Sequence, residues 1–126
     1  MKTCYLHLGL HKTASSSFQQ TCAANITLLQ QEGLHYPIFS CSTAKPSRLK
    51  INNHSVPLRS LYDNNPAEYH INKRWKIKDI DQANCEYQMQ WDQALDSDSS
   101  MIISGEGISL LPVSALERLV AAITSK

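Results

Sequence analysis

Residues 5–17 constrain the fold of this chain more than any other segment, because they read as a strand, a tight loop and the start of a helix. Alternating leucines surround Gly9, which permits a sharp turn, and four hydroxyl side chains follow Lys12 with only Ala14 among them. A loop that opens a helix aims backbone N–H groups and the positive end of the helix dipole at a bound anion. The same residues also suit an ordinary strand-to-helix turn in which the serines cap the helix. The residues by themselves leave both interpretations open.

The spacing of this loop excludes a Walker A site, the phosphate-binding loop of many kinases and ATPases. That pattern needs a glycine, four residues, and then Gly-Lys followed by Ser or Thr. Counted from Gly9, the second glycine position falls at Ala14, and the next residue is Ser15 rather than lysine. The lysine of this loop stands earlier, at position 12. A small P-loop kinase is therefore disfavoured.

The loop resembles the 5′-phosphosulfate loop of sulfotransferases that use 3′-phosphoadenosine 5′-phosphosulfate (PAPS) as the sulfuryl donor. In the bacterial branch of that family the loop commonly reads His-Leu-Gly-Leu-His-Lys-Thr-Gly-Thr-Thr-Ser, followed by a helix with an early Gln. Residues 7–13 match letter for letter, Ser17 matches, and Gln19 or Gln20 stands where the Gln is expected. The family carries its lysine at the earlier place seen here. The resemblance therefore favours sulfuryl transfer over ATP hydrolysis.

The resemblance implies a donor site within this loop. The residues that would bind PAPS are Gly9, Lys12, Thr13, Ala14, Ser15, Ser16 and Ser17. Lys12 would also act in catalysis, by stabilising the sulfuryl group as charge moves onto the leaving phosphate. In two places the chain departs from the pattern: Ala14 replaces a glycine, and two serines replace two threonines. Serine keeps the donor hydroxyl, whereas the methyl group of Ala14 occupies space where the backbone must approach a phosphate.

The end of the chain repeats the strand–loop–helix order. A short apolar run over 101–104 predicts a buried strand, and residues 105–107 (Gly-Glu-Gly) predict a flexible loop after it. Because ligands of open α/β sheets lie beyond the carboxyl ends of the strands, this loop and the first one would share an edge. Glu106 is then a candidate general base for an acceptor hydroxyl or amine, and His11 is a second candidate. A surface carboxylate and a structural histidine are the alternatives.

Helices and strands elsewhere follow from apolar spacing. A helix is expected over 15–32, with Gly33 as its C-terminal stop and a short strand over 34–36 after it. Residues 38–57 suggest a long loop or insert, and residues 57–62 a short helix. A further helix over 79–95 would carry Trp91 into the core.

Two predictions concern helix faces and caps. The apolar face of the first helix would consist of Phe18, Cys22, Ile26 and Leu29. That of the last helix would consist of Val113, Leu116, Leu119, Val120 and Ile123. Ser114 and Glu117 have the spacing of a capping box, which predicts the start of this last helix.

The predicted fold class is α/β, with a P-loop-like, three-layer parallel sheet and flanking helices. Residues 1–126 would form one partial domain: a phosphosulfate-loop unit over 1–37, a variable insert and helix over 38–100, and a strand–loop–helix unit over 101–126. A complete sulfotransferase of this type is longer, and its 3′-phosphate site follows a further strand. The resemblance therefore predicts a truncated, N-terminal part of a sulfotransferase and leaves open whether this chain catalyses on its own. A degenerate phosphate-binding domain without catalysis is the alternative, and an open sheet edge would permit homo-oligomers.

Composition narrows the partners. With 12 basic and 11 acidic residues the formal net charge is +1, which gives no reason to expect nucleic acid or a membrane surface as a partner. The apolar run near the N-terminus is too short for a signal peptide, so a cytoplasmic chain with free thiols is expected. The four cysteines lack metal-ligand spacing, and no metal is implied.

The expected acceptor is a small molecule or a saccharide. Trp75 stands among Lys73, Arg74, Lys76 and Lys78. This basic–aromatic cluster could bind an acidic acceptor such as a sulfated or uronic sugar, or it could be a solvated face of the protein.

Overall fold

The computed structural model describes residues 2–9 and 15–126. Its strands are β1 (Cys4–His7), β2 (Leu34–His35), β3 (Phe39–Cys41), β4 (Arg48–Ile51) and β5 (Ser100–Ser104). Its α-helices are α1 (Ser15–Ala24), α2 (Ile26–Gln31), α3 (Ser55–Tyr62), α4 (His70–Arg74), α5 (Ile80–Leu95) and α6 (Val113–Thr124). Two short 3-10 helices span Pro66–Glu68 and Glu106–Leu110.

Three of the described strands form a parallel sheet in the order β1-β5-β2. β5 lies in the centre, with Leu6 opposite Ile103 on one side and His35 opposite Met101 on the other. The mixed α/β class and the parallel pairing are confirmed. The first and last predicted strand–loop–helix units are therefore neighbours in space, because β1 and β5 pair directly.

The two faces of β5 meet different neighbours, as the alternation of side chains along a strand requires. Met101 and Ile103 are buried in a hydrophobic core that also contains residues of α5 and α6. Ser104 points the other way, where Gln19 of α1 contacts it. Helices thus pack against both faces of the sheet.

The first helix is shorter than the expected span of 15–32, because it is interrupted at Asn25. The side chain of Asn25 donates to the carbonyl oxygen of Thr21 at 2.7 Å, and its backbone has φ −120°. A side chain that bonds the backbone in this way competes with the regular helical ladder. α1 therefore ends at Ala24, and α2 ends before Gly33, whose φ of +74° fits the predicted stop.

The buried face of α1 also differs from the prediction. Ser15, Gln19 and Cys22 are its buried residues, whereas Phe18 is exposed. Ile26 and Leu29 of the predicted face are half-buried and belong to α2. The polar Gln19 is buried because it has hydrogen-bond partners on β5 and beyond it.

The long loop predicted over 38–57 is wrong, since β3 and β4 form an antiparallel pair there. β3 packs on α5, and the Gln90 side chain of α5 bonds both backbone groups of Ser40. The Ser40 N–H donates to Gln90 Oε1 at 2.7 Å, and Gln90 Nε2 donates to the Ser40 carbonyl at 3.0 Å. The Gln90 side chain thus makes the two backbone hydrogen bonds that a neighbouring strand would otherwise make.

α5 confirms the helix predicted over 79–95. The Asp79 carboxylate accepts the backbone N–H of Gln82, which caps the helix at its start. Trp91 is fully buried, and its Nε1–H donates to the Tyr62 hydroxyl at 2.9 Å. This bond connects α5 to the end of α3 and satisfies the indole nitrogen inside the core.

The start of α6 does not have the predicted capping box. The helix begins at Val113 after Pro112, without a side-chain cap, so Ser114 already lies inside it. Its buried residues are Ala115 and Leu119, while Val113 and Val120 are 72% and 48% exposed. Leu116 and Ile123 are half-buried beside that face, so the predicted apolar face is only partly correct.

Candidate functional site

The structure describes only part of the predicted donor loop. Gly9, two residues after the end of β1, has a φ of +25°, the positive sign that favours glycine. Ser15 is buried at the start of α1, and Ser16 and Ser17 are exposed. The predicted site residues His11, Lys12, Thr13 and Ala14 lie outside the described residues.

Glu106 follows β5 closely, but not in a flexible loop as predicted. It begins a 3-10 helix, and Gly105 before it packs against α3. A Cβ at Gly105 would lie 2.4 Å from the Ser55 backbone nitrogen. The backbone N–H of Gly107 donates to the Ser55 hydroxyl at 2.8 Å. These contacts fix the backbone on both sides of Glu106.

The half-buried Glu106 carboxylate accepts one amide hydrogen bond on each oxygen. Gln19 Nε2 of α1 approaches Oε2 at 3.3 Å, and Asn53 Nδ2 approaches Oε1 at 3.3 Å. Asn53 is itself oriented, because its Oδ1 accepts the Ser55 backbone N–H at 3.0 Å. Each carboxylate oxygen retains further acceptor capacity, so the group can still receive a proton from a ligand.

His7 ends β1 beside Ser104, the last residue of β5. The His7 Nδ1 and the Ser104 hydroxyl lie 2.9 Å apart, and the His7 carbonyl accepts the Gly105 N–H at 3.1 Å. The ring of Phe18 covers the imidazole at a centroid distance of 4.4 Å. His7 thus links the end of β1, the start of α1 and the segment that carries Glu106.

His54 is a buried, structural histidine that is hydrogen-bonded to Ser104 of this site. Its ring lies fully buried between Tyr36 and Phe39, at centroid distances of 4.5 and 5.8 Å. Nε2 lies 2.6 Å from the Pro37 carbonyl, which can only accept, so the proton is on Nε2 and Nδ1 accepts the Ser104 N–H at 2.8 Å. Burial lowers the pKa of His54 to about 4. The ring is therefore neutral at physiological pH.

A second polar group lies on the α3 side of the Glu106 segment. The Arg59 guanidinium pairs with Asp63 at 3.0 Å and lies over the Tyr69 ring at 4.8 Å. Burial raises the pKa of Tyr69 to about 12, although the nearby Arg59 charge opposes this shift. Arg59 is thus held by Asp63 and Tyr69 beside Gly107, whose added Cβ would lie 3.2 Å from Arg59 Cδ.

Sequence reasoning missed several residues of this site. Asn53, Ser55 and His54 fall in or next to the segment expected to be a loop, and nothing in their spacing connects them to Glu106. Gln19 had a signal, since the resemblance places a glutamine early in the first helix. Its burial and its bond to Glu106 follow only from the pairing of β1 with β5.

Within residues 2–9 and 15–126, no group of three or more histidine, cysteine or acidic side chains could hold a metal ion. No helix of this part of the chain is long and apolar enough to cross a bilayer. Cys4, Cys22, Cys41 and Cys85 are free thiols.

Comparisons of the chain with protein-family models, with curated proteins and with solved structures gave no match.

Proposed function

We propose that this chain carries the donor half of a sulfotransferase site, which transfers a sulfuryl group from PAPS to a hydroxyl or amine acceptor. The observation that carries the proposal is the direct parallel pairing of β1 with β5. It brings the end of the strand before the donor loop next to the segment that holds Glu106. Ligands of open parallel sheets bind beyond this edge of the strands, so donor and base would meet there.

The proposed reaction is an in-line transfer at sulfur. The acceptor oxygen or nitrogen attacks the sulfur atom of PAPS and forms the new bond to it. The bond between sulfur and the bridging oxygen of the 5′-phosphate breaks, and its electron pair leaves with 3′-phosphoadenosine 5′-phosphate. The acceptor proton passes to the carboxylate of Glu106, with His11 as the alternative base. Lys12 would stabilise the negative charge that develops on the leaving phosphate.

Gln19 and Asn53 would act as positioning residues for this step. Their amide groups bond one carboxylate oxygen of Glu106 each, at 3.3 Å in both cases. A base held at two points loses little freedom when the acceptor arrives. The Ser55 hydroxyl, which accepts the Gly107 N–H, and the close contact of Gly105 with Ser55 hold the same segment against α3.

The P-loop-like character of the fold is part of this proposal. It rests on the strand–loop–helix order at the donor loop and on the positive φ of Gly9 at its start. The free thiols of the four cysteines favour the reducing cytoplasm as the compartment. One sequence feature favours a second function, a phosphate-binding domain without turnover: Ala14 stands where the donor loop of the family has glycine.

The test is a calorimetric titration of the purified chain with 3′-phosphoadenosine 5′-phosphate. We expect binding that weakens at least about tenfold in Lys12→Ala, because a lysine–phosphate contact contributes roughly 1.4 kcal/mol or more. The control Lys126→Ala removes an equal charge from the C-terminal residue, which pairs with Asp96, and should leave the affinity unchanged. A folded protein that does not bind, or equal weakening in both variants, would contradict the donor site.

A further inference from the structure

A groove of about 420 Å³ lies against β4 and shares one lining residue, Asn53, with the site described above. Its lining includes Arg48 and Lys50 of β4, then Asn52 and Asn53, and Trp75 after α4. Arg48 and Lys50 both line the groove, on a stretch of β4 where the pairing with β3 shifts register. The groove thus places two cations beside an aromatic ring.

The charges of this groove are unbalanced. Its lining holds two cationic side chains and no carboxylate. Within residues 2–9 and 15–126, neither Arg48 nor Lys50 has an acidic partner; the ion pairs there involve Arg59, Lys73 and Lys126. An anionic ligand would supply the missing partner.

Arg48 has a fixed position and an unsatisfied donor. Its guanidinium carbon lies 4.9 Å from the centre of the Trp75 ring, which holds the side chain in place. Its Nε is buried without a hydrogen-bond partner. An unsatisfied buried donor of this kind carries a free-energy cost. Because Nε is shielded, an anion in the groove would bind the terminal N–H groups of the guanidinium. Arg48 of β4 thus joins the basic residues around Trp75, and its guanidinium can bind an anion in the groove.

The groove is connected to Glu106 through Asn53. Asn53 lines it, and the same side chain donates to Glu106 Oε1. An extended chain spans at most about 3.6 Å per residue, so the Cα atoms of Lys50 and Asn53 are within roughly 11 Å of each other. A ligand of disaccharide size is therefore long enough to contact Lys50 at one end and Asn53, the hydrogen-bond partner of Glu106, at the other.

We infer that this groove binds the acceptor, and that the acceptor is an anionic saccharide bearing a carboxylate or sulfate group. This inference rests on the proposed function for the transfer step, but the groove can be tested without a donor. The anionic group would bind Arg48 and Lys50, and a sugar hydroxyl would lie next to Glu106. Asn53 would set the distance between the two ends.

The experiment uses the two tryptophans as reporters. ¹⁵N-labelled protein is titrated with a disaccharide that contains glucuronic acid, and separately with its neutral, carboxyl-reduced counterpart. The indole N–H signal of Trp75, assigned with Trp75→Phe, should shift with the acidic sugar only. The signal of Trp91, which is buried and bonded to Tyr62, should not move. Equal shifts with the neutral sugar, or with inorganic sulfate at the same ionic strength, would overturn the inference.

Two substitutions test whether Lys50 binds the acidic disaccharide. Lys50→Gln changes an exposed side chain and should weaken binding of the acidic disaccharide about fivefold, which corresponds to roughly 1 kcal/mol. Lys126→Gln is the matched control, because it removes the same charge next to Asp96 and lines a different cavity, beside Lys2 and Thr3. Equal weakening by both variants would show a general charge effect and refute the groove.

The donor titration separates this inference from the proposed function. Lys50→Gln should bind 3′-phosphoadenosine 5′-phosphate as the unmodified chain does. If the nucleotide does not bind and the acidic sugar still shifts Trp75, the donor site is refuted and the saccharide groove stands. If the nucleotide binds and the sugar does not, the groove is refuted and the donor site stands.

Discussion

His54 and Ser104 exchange two hydrogen bonds that join the start of α3 to the end of β5. The His54 backbone N–H donates to the Ser104 carbonyl at 2.9 Å, and the Ser104 N–H donates to His54 Nδ1 at 2.8 Å. Ser104 is the strand residue that also contacts His7 and lies two positions before Glu106. The orientation of the candidate base thus depends on a neutral, buried imidazole.

The first prediction concerns stability against pH. Burial lowers the pKa of His54 to about 4 in the folded state, from about 6.5 in the unfolded chain. Below pH 6.5 the His54 side chain of the unfolded chain binds a proton, whereas that of the folded protein stays neutral. The free energy of unfolding therefore decreases as the pH falls toward 4. We expect His54 to contribute a loss of about 3 kcal/mol over this range, measured by urea unfolding at several pH values.

The control for this prediction is His54→Asn, which cannot gain the proton and should show a smaller loss of stability with falling pH. The nitrogen shifts of His54 give a second test that needs no variant. They should report the neutral ring with its proton on Nε2 at pH 6. A charged ring at that pH would contradict the prediction.

The second prediction concerns the glycine before Glu106. Gly105→Ala should destabilise the protein by about 3 kcal/mol, because the new methyl group would lie 2.4 Å from the Ser55 nitrogen. Gly33→Ala is the matched control: it has a φ of +74° but no atom within 4 Å, so only backbone strain of about 1 kcal/mol is expected. If chemical unfolding shows the same loss of free energy of unfolding in both variants, the methyl group at position 105 has no additional steric cost and the prediction is wrong.

The third prediction concerns the proposed base. Glu106→Gln keeps the size of the side chain but cannot accept a proton at neutral pH. We expect PAPS-dependent transfer to the acidic disaccharide to fall about 10²- to 10⁴-fold, with nucleotide affinity unchanged. Gln19→Ala should reduce the rate less, since it removes one of two amide bonds to the carboxylate. Full activity of the Glu106→Gln variant would contradict Glu106 as the general base and favour His11.

The fourth prediction concerns the loop residue Ala14, which lies outside the described residues. If the loop binds a phosphate, Ala14→Gly removes a methyl group from the approach of the backbone and should tighten nucleotide binding about fivefold. Ala24→Gly makes the same chemical change at the exposed end of α1 and should not alter the affinity. An unchanged affinity in Ala14→Gly would mean that the loop tolerates alanine there.

Local spacing predicted several elements well. The apolar spacing around Trp91 gave α5 its correct position, and Gly33 correctly ended the helical segment before β2. Both depend on interactions between residues close together in the chain. The parallel sheet also agreed with the prediction. That β1 pairs directly with β5 was not predicted.

Other features depended on distant residues and were mispredicted. β3 and β4 are only three and four residues long, and β3 is completed by the Gln90 side chain of α5. In α6, Ala115 and Leu119 pack into the core and Val113 is exposed. Which face of this helix is buried depends on the distant residues of that core.

By itself the sequence determined the order of strand and helix at both ends of the chain and the long helix with Trp91. Each of these depends on spacing within one short segment. Only the tertiary structure decided which helix faces are buried, that Gln19 and Asn53 meet Glu106, and that Arg48 lies over Trp75. The physical reason is that burial and hydrogen-bond partners depend on side chains far apart in the chain, whereas periodicity records only near neighbours.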